Sequence, residues 1–312
     1  MNNSTRNLKM KKLLIASTAL VATAGMAAAD VTVTGHAAAG YHSNLSAVSG
    51  VTLVDSGIYS NVGVDFAMSG ATNGGLTFGA TLNIDAGTEI DQGDYEFDGA
   101  DSGKAGLGSV TVGGGFGTLT FDNAGIDNLF DSDYSSHDVS LATTVNGIAL
   151  SIAADADESV NDGTLAVGTD DSSLSAAYTT GAITTTLTAS NHSTSGMSSK
   201  INVAYVVSDA LTVSGSTKSL AAGGNNVAEV KAVGTVNGVS VTVASDNATA
   251  NGWDLDLGYT VSGVALAYGT DESKKWTLTA SYDLGGGASF KAGVKNQNGA
   301  DDSMYAGVAF AF

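Results

Sequence analysis

Apolar and polar residues alternate with a period of two along most of this chain, and no other feature constrains its fold more. In "GWDLDLGYTV" (252–261), every second residue from Trp253 onward is large and apolar, whereas the residues between them include Asp254 and Asp256. The segments "KKWTLTASYDL" and "GLTFGATLNID" repeat the pattern. Such alternation is typical of β-strands with one apolar and one polar face, and no helical periodicity competes with it after residue 30. The sequence therefore predicts an all-β protein.

The connections between these segments fall into two classes. Tight turns such as "TVNGIAL" and "TVNGVSV" contain Asn-Gly, which supplies the positive φ angles of a two-residue hairpin. They alternate with longer polar stretches at 42–56, 86–103, 123–138, 155–171, 191–197, 220–226, 246–251 and 296–302. Short turns at one end and longer loops at the other are typical of an antiparallel β-barrel of the outer membrane, with short periplasmic turns and longer external loops.

We predict 18 strands within a single barrel domain that covers residues 30–312. The predicted spans are 31–41, 56–69, 75–85, 104–114, 117–122, 139–145, 147–155, 172–179, 182–190, 198–207, 211–219, 226–236, 239–246, 252–261, 263–270, 274–284, 287–295 and 303–312. The chain is long enough to close 16 or 18 strands, and an even number suits a bacterial barrel. Its polar face is rich in Thr, Ser, Gly, Asn and Asp, which suits a wet lumen.

The first 29 residues have the organisation of a cleaved secretory signal peptide. A Lys-Lys pair precedes an apolar run at 13–24, and Ala27 and Ala29 form an A-x-A cleavage site. Both the first residue and Met10 fit as the start of this segment. Cleavage would remove four of the 12 basic residues and leave eight lysines against 31 acids, a formal charge of −23. This charge argues against a nucleic-acid partner, because Lys and Arg must neutralise the phosphates.

The last segment, "SMYAGVAFAF", predicts how the barrel closes. Its alternate apolar residues end in Phe310 and Phe312, and a closed barrel pairs its last strand with its first. We therefore expect it to pair with "VTVTGHAAAGY" (31–41) and to face lipid, as Leu257 does on its own strand. An aromatic-ended last strand also resembles the signal that the outer-membrane assembly machinery reads.

Four segments resemble the outer-membrane general diffusion porins of α-proteobacteria, of the Rhodobacter type. They are "AMSGATNGGLTFGATL", "GGGFGTLTF", "LTASYDLGGGASFKAGV" and "YAGVAFAF". The resemblance implies a trimeric pore of 16 strands whose third external loop folds inward and narrows the lumen. The counterpart of that loop, "NAGIDNLFDSDYSSHD" (123–138), is short. The family also sets arginines against the acids of this loop, and the chain has no arginine after residue 30.

Charged residues on the predicted polar faces are the candidates for ion selectivity. In the 123–138 segment, four acids would line a constriction or simply face solvent: Asp127, Asp131, Asp133 and Asp138. Strand parity assigns further charges to the lumen wall: Lys200, Lys218, Glu229, Lys231, Asp254, Asp256, Lys275, Lys291 and Lys295. Rings of acids favour cations in a narrow pore, whereas wall lysines would balance them or remain solvated.

Signals for metal binding and catalysis are weak. Asp94, Glu96 and Asp98 resemble the first half of a calcium loop, but Ala105 occupies the position of its last acid. The four histidines lack ligand spacing, and neither a phosphate-binding loop nor a G-x-S-x-G nucleophile motif is present. We therefore expect no enzymatic activity and no cofactor beyond loosely bound Ca²⁺.

These features predict a porin that lets small hydrophilic solutes and ions diffuse passively across the outer membrane, with a mild preference for cations. Its expected partners are two further copies of itself, outer-membrane lipid and lipopolysaccharide, and the assembly machinery. The alternatives are a closed or plugged barrel that acts as a surface adhesin, and a secreted soluble β-protein. The soluble alternative would require the apolar faces to pack against each other.

Overall fold

The computed structural model of the chain describes residues 29–47, 56–93, 95–130, 135–156, 171–192, 196–220, 226–296 and 301–312. Nineteen β-strands lie in these residues. They are β1 (Ala29–Ser43), β2 (Ser46–Ala47), β3 (Ser56–Ala71), β4 (Thr77–Asp91), β5 (Glu96–Gly114), β6 (Gly117–Asp127), β7 (Ser135–Val145), β8 (Ile148–Ala154), β9 (Ser172–Thr180), β10 (Ile183–His192), β11 (Gly196–Ser208), β12 (Leu211–Ser219), β13 (Val227–Val236), β14 (Val239–Asp246), β15 (Gly252–Val261), β16 (Val264–Asp271), β17 (Trp276–Gly285), β18 (Ala288–Asn296) and β19 (Ser303–Ala311).

Eighteen of these strands form one closed antiparallel barrel. Each pairs with its neighbours along the chain, and β1 pairs with both β3 and β19. The remaining strand, β2, has two residues and pairs in parallel with β5. The predicted all-β barrel of 18 strands is thus confirmed, whereas the 16 strands that the family resemblance implied are not what this chain forms.

The closing seam joins the two segments that the sequence predicted to pair. His36 lies opposite Ala311, and the ladder continues to Ser43 opposite Met304. Gly35 and Phe312 exchange backbone hydrogen bonds of 2.5 and 2.9 Å, and the ring of Phe312 covers the face of Gly35. The last strand therefore leaves no edge for another chain to pair with.

All of the two-residue turns lie at one end of the barrel. At 146–147 and 237–238, Asn and Gly both adopt positive φ, with values of 51° and 82° in the first turn. These angles match the turn type that best follows the twist of two antiparallel strands, so the Asn-Gly signals are correct predictions of hairpins. The five-residue β3–β4 connection (72–76) lies at this same end, and the other connections, which are longer than two residues, lie at the opposite end.

The large apolar side chains cover the outside of the barrel instead of filling a core. Val33, Ile58 and Leu107 are 56%, 75% and 77% exposed. A water-soluble protein would bury these side chains, so their exposure argues against the secreted soluble alternative. Hydrocarbon is the environment that such a surface requires. No helix in the described ranges is long and apolar enough to cross a membrane.

The β4–β5 hairpin is longer than a membrane requires. β4 has 15 residues and β5 has 19, whereas a membrane-spanning strand needs about 9–11. The segment 86–103, which the sequence predicted to be a loop, is therefore mostly a β-ladder that pairs Thr88 with Ala100 and Asp91 with Glu96. The ladder shifts register at three places, between Ala80 and Ile90, and such bulges bend a hairpin.

Candidate functional site: the lumen and its two inward hairpins

Cross-strand register identifies the face of each residue, because directly paired residues lie on the same side of a sheet. Leu257 pairs with Val241 and Tyr268, which belong to the outer apolar face. Its neighbour Asp256 pairs with Thr242 and Gly269, which belong to the other face. The polar face lines the lumen all round the barrel.

The β6–β7 connection folds toward this inner face. The side-chain amide of Asn128 donates to the Ser190 hydroxyl at 2.8 Å, and the Leu129 N–H donates to the Ser173 hydroxyl at 3.0 Å. Ser173 and Ser190 are paired on β9 and β10, and both are buried. The connection therefore reaches past β8 and lies against the inner wall of the next two strands.

The loop between β6 and β7 is shorter than the segment 123–138 that the sequence predicted. β6 continues to Asp127 and β7 begins at Ser135, so only residues 128–134 connect them. Asp127 ends β6, and Asp138 lies within β7, where its carboxylate accepts from the Ala156 N–H at 2.9 Å. Asp131 and Asp133 lie outside the described residues. The acidic, Gly-containing sequence concealed these strand ends because it lacks an apolar face.

A second hairpin, formed by β4 and β5, enters the lumen from the opposite side. The Tyr95 hydroxyl lies 3.2 Å from the carbonyl oxygen of Val294 and 3.4 Å from that of Leu278. These two residues are paired on β18 and β17, far from β5 in the order of the barrel. Burial raises the pKa of the Tyr95 hydroxyl, so it keeps the proton that it donates.

An aromatic cluster holds this hairpin inside the barrel. Its buried members are Leu45, Tyr59, Ile90, Tyr95 and Tyr305. The rings of Tyr95 and Tyr305 are 5.4 Å apart and tilted by 54°, an arrangement that aromatic pairs favour. The Lys295 ammonium lies 5.6 Å from the Tyr95 ring centroid, within cation–π range. The sequence predicted this stretch as part of a polar loop (86–103) with a weak calcium candidate, and Tyr95 was missed. The aromatic residues at 95 and 97 were the available signal.

Lysines on the strands that the sequence assigned to the lumen wall pair with residues of the polar face. Lys200 pairs with Lys218, and Lys231 pairs with Ser214. Glu229 is flanked by Ser216 and Asp246. These positions run along β11, β12 and β13.

Acids and lysines meet on the next part of the wall. A cavity of about 230 Å³ is lined by residues that include Asp254, Asp256, Lys275 and Lys295. Lys275 precedes β17 instead of lying on it, and its carbonyl accepts from the Thr270 hydroxyl at 2.9 Å. Lys291 lies under the β4–β5 hairpin, where it lines a cavity of about 550 Å³.

A group of polar residues that sequence analysis missed lies on β1, β3 and β4. The two ring nitrogens of His36 lie 3.5 Å from the Asp65 carboxylate and 3.3 Å from the Asp85 carboxylate. The Asn83 amide donates to Asp85 at 2.7 Å. Gly63 lies beneath this group, and a Cβ there would collide with both Asp85 and His36. Only strand register brings these residues together, so no sequence spacing reveals them.

The calcium candidate falls at the tip of the β4–β5 hairpin. Glu96 begins β5 and pairs with Asp91. Asp94 and the side chain of Asp98 lie outside the described residues, so calcium binding stays a prediction. Among the side chains that are described, no three His, Asp or Glu residues are grouped as they are around a metal ion.

The family of the chain follows from a comparison with known proteins. Residues 16–312 match the Gram-negative porin family. The chain belongs to this family. Membership and the closed barrel make it a diffusion channel of the outer membrane. A comparison with curated protein sequences finds no match.

Solved porin structures share the fold. A triple mutant of the Rhodopseudomonas blastica porin aligns with a TM-score of 0.53 and 13% identity, over 91% of this chain and 100% of that one. Another mutant of the same porin aligns with a TM-score of 0.53 and 14% identity over the same shares. At such low identity the likeness concerns the fold alone, and it says nothing of which residues line the pore.

Proposed function

We propose that the chain is a general diffusion porin through which small hydrophilic solutes and ions pass down their gradients, with a mild preference for cations. A closed ring of 18 strands with a hydroxyl-rich, charged inner face supports this proposal. A barrel of 16–18 strands is wide enough to leave an aqueous channel even when loops enter it. We assign it no enzymatic activity.

Charge supports the cation preference. The inner face of β14, β15 and β16 carries Asp246, Asp254, Asp256 and Asp271, and one register row joins Asp254 directly to Asp271. The full chain has 31 acidic and 12 basic residues. Acids that line a narrow pore stabilise cations there and repel anions. The lysines of β11, β12 and β13 oppose this effect and keep the preference mild.

We further propose that the β6–β7 connection contributes to the constriction, with Asp127 and Asp138 at its two ends. Asp131 and Asp133 remain predicted members of the same constriction. The hydrogen bonds of residues 128 and 129 to the inner wall support this role. A connection fixed to the wall narrows the lumen permanently instead of opening and closing it.

The assembled form is also part of the proposal. We infer a homotrimer in contact with lipid and lipopolysaccharide, exported through a signal peptide that is cleaved after residue 29. The last strand, which ends in Phe310 and Phe312, would be read by the assembly machinery. The segments quoted above support an assignment to the α-proteobacterial branch of the family.

Single-channel conductance in a planar bilayer, with a salt gradient across it, tests the proposed function. The refolded mature protein is expected to open in steps of three and to show a reversal potential of the sign that cation selectivity gives. A correctly folded barrel that does not conduct would instead point to a plugged, adhesive protein. Anion selectivity would refute only the proposed preference for cations and would leave the diffusion pore standing.

Replacing Asp254 and Asp256 with Asn is expected to lower the cation-to-anion permeability ratio, because both carboxylates face the lumen wall. The reversal potential in a salt gradient measures the ratio. The matched control is Asp209→Asn, in the short β11–β12 turn outside the lumen. If the control lowered the ratio by half as much as the double variant, net charge and not position would determine selectivity.

A further inference from the structure

We propose that the β4–β5 hairpin is a second, permanently docked constriction and that Tyr95 is the residue that positions it. This inference rests on the proposed function, since a constriction has meaning only in a conducting barrel. The hairpin is distinct from the β6–β7 connection, and its contacts lie on the opposite arc of the wall.

The reach of the hairpin is the first argument. Gln92 and Gly93, at its tip, line a cavity of about 340 Å³ together with Ala265 of β16 and Ser281 of β17. Around the barrel, β16 is six positions from β4, so the hairpin passes over a third of an 18-strand ring. A hairpin that merely continued the barrel wall would stay beside β3 and β6.

The contacts along this path are those of a packed interior. Tyr95, Ile90 and Leu45 are 1%, 6% and 2% exposed, values unlike those of a solvated loop. Phe97 packs on His42 of β1 at a ring separation of 5.1 Å. The Ser46 N–H donates to the Tyr95 carbonyl at 3.1 Å, so the β1–β3 connection covers the hairpin from above. Contacts on several strands leave the hairpin little freedom to swing out.

The wall beneath the hairpin is shaped to receive it. A Cβ on Gly293 would lie 2.6 Å from the Tyr305 ring and 2.8 Å from the Tyr95 hydroxyl. On the closing seam, Gly40 and Gly307 are paired, and a Cβ on Gly40 would lie 2.7 Å from the Tyr59 ring. Because glycine has no side chain, these three positions leave room for the tyrosine rings to lie against the wall. These glycines belong to the wall strands, so the wall as well as the hairpin contributes to the fit.

The two inward hairpins together select the path through the lumen. The β4–β5 hairpin covers the arc from β3 round to β16, and the β6–β7 connection covers β9 and β10. The uncovered arc is β11 to β15. Its inner face carries lysines on β11–β13 and acids on β14 and β15, so solutes would pass between a basic and an acidic strip.

Shortening the hairpin tests the inference directly. Replacing residues 88–100 with Asn-Gly joins Gly87 to Asp101, which already face each other across the ladder. We expect single-channel conductance to rise roughly twofold, and larger sugars to enter proteoliposomes, because a layer of side chains leaves the lumen. Tyr95→Ala should give part of this gain, with noisier current. Tyr95→Phe, which keeps the ring contact with Tyr305, should remain near the parent value.

A cross-link provides a test that does not depend on the shortened variant folding. The chain has no cysteine, so Gln92→Cys with Ser281→Cys introduces a single pair. Both residues line one cavity, so a short bifunctional thiol reagent is expected to join them and leave conductance unchanged, since the hairpin is already docked. The control pair, Gln92→Cys with Thr242→Cys on the uncovered arc, should not cross-link.

The outcomes separate this inference from the proposed function. If the parent barrel folds but does not conduct, the proposed function fails. If the parent conducts, and the shortened variant folds with unchanged conductance, the hairpin is not a constriction. A failure of the Gln92 and Ser281 pair to cross-link would show that the hairpin is not docked on β17.

Discussion

Leu257→Lys is expected to reduce the yield of folded barrel far more than Asp256→Lys. Leu257 lies in the middle of β15 on the outer apolar face, between Val241 and Tyr268. A lysine at mid-depth on the lipid face destabilises a barrel by about 2–4 kcal/mol, because the ammonium must leave water for hydrocarbon. On Asp256 the same lysine faces the lumen, where water remains available.

The measurement is a urea titration of each variant after refolding into lipid vesicles, followed by tryptophan fluorescence and by the fraction of protein that resists protease. The adjacent residues share one strand and one depth, so each variant controls for the other. Equal midpoints for the two variants would show that the assignment of faces on β15 is wrong.

Gly307→Leu is expected to be the most damaging substitution on the closing seam. Gly307 pairs with Gly40, and a Cβ at position 307 would collide with the Tyr59 hydroxyl and approach the Ala39 carbonyl oxygen to 2.5 Å. Overpacking of this kind costs about 1–3 kcal/mol when the surrounding atoms must shift. Here the obstacle includes backbone, and displacing Tyr59 would also disturb the cluster that holds the β4–β5 hairpin.

Ala309→Leu is the matched control. Ala309 lies two residues further along β19 on the same face, but it lines the cavity of about 550 Å³ under the hairpin. The added side chain has space there, so we expect a nearly unchanged unfolding midpoint in the same urea titration. A loss of stability as large as that of Gly307→Leu would mean that the seam tolerates no added volume, whether or not Tyr59 is displaced.

The strands of the second half of the chain could be predicted closely from sequence. The predicted spans 211–219 and 252–261 coincide with β12 and β15. Both strands expose one face to lipid and the other to water, and the alternation that results is clearest in β15. Asn-Gly turns mark the hairpins at 146–147 and 237–238 because their backbone requires positive φ. Closure between β1 and β19 followed from the same alternation.

The first half was predicted less well because its strands leave the membrane. β4 extends six residues beyond its predicted end, and β5 begins eight residues before its predicted start. In the extended parts of β4 and β5, one face meets the aromatic cluster and the other meets water or the wall. The sequence there has no continuous apolar face that would predict a strand. The β6–β7 segment repeats the problem, and its acids at 127 and 138 proved to be strand residues.

Some properties of this barrel are local, because a few consecutive residues determine them. They are the face of a strand that meets lipid, the number of strands and the positions of the turns. What enters the lumen is not local. Tyr95 reaches Val294 only because the closed barrel brings β18 close to the β4–β5 hairpin, and His36 meets Asp85 only through the register of β1, β3 and β4. The same barrel could have remained wide open with nearly the same alternation. Three-dimensional packing, through glycines at 40, 293 and 307 that make room for aromatic rings, decided that a hairpin lies inside.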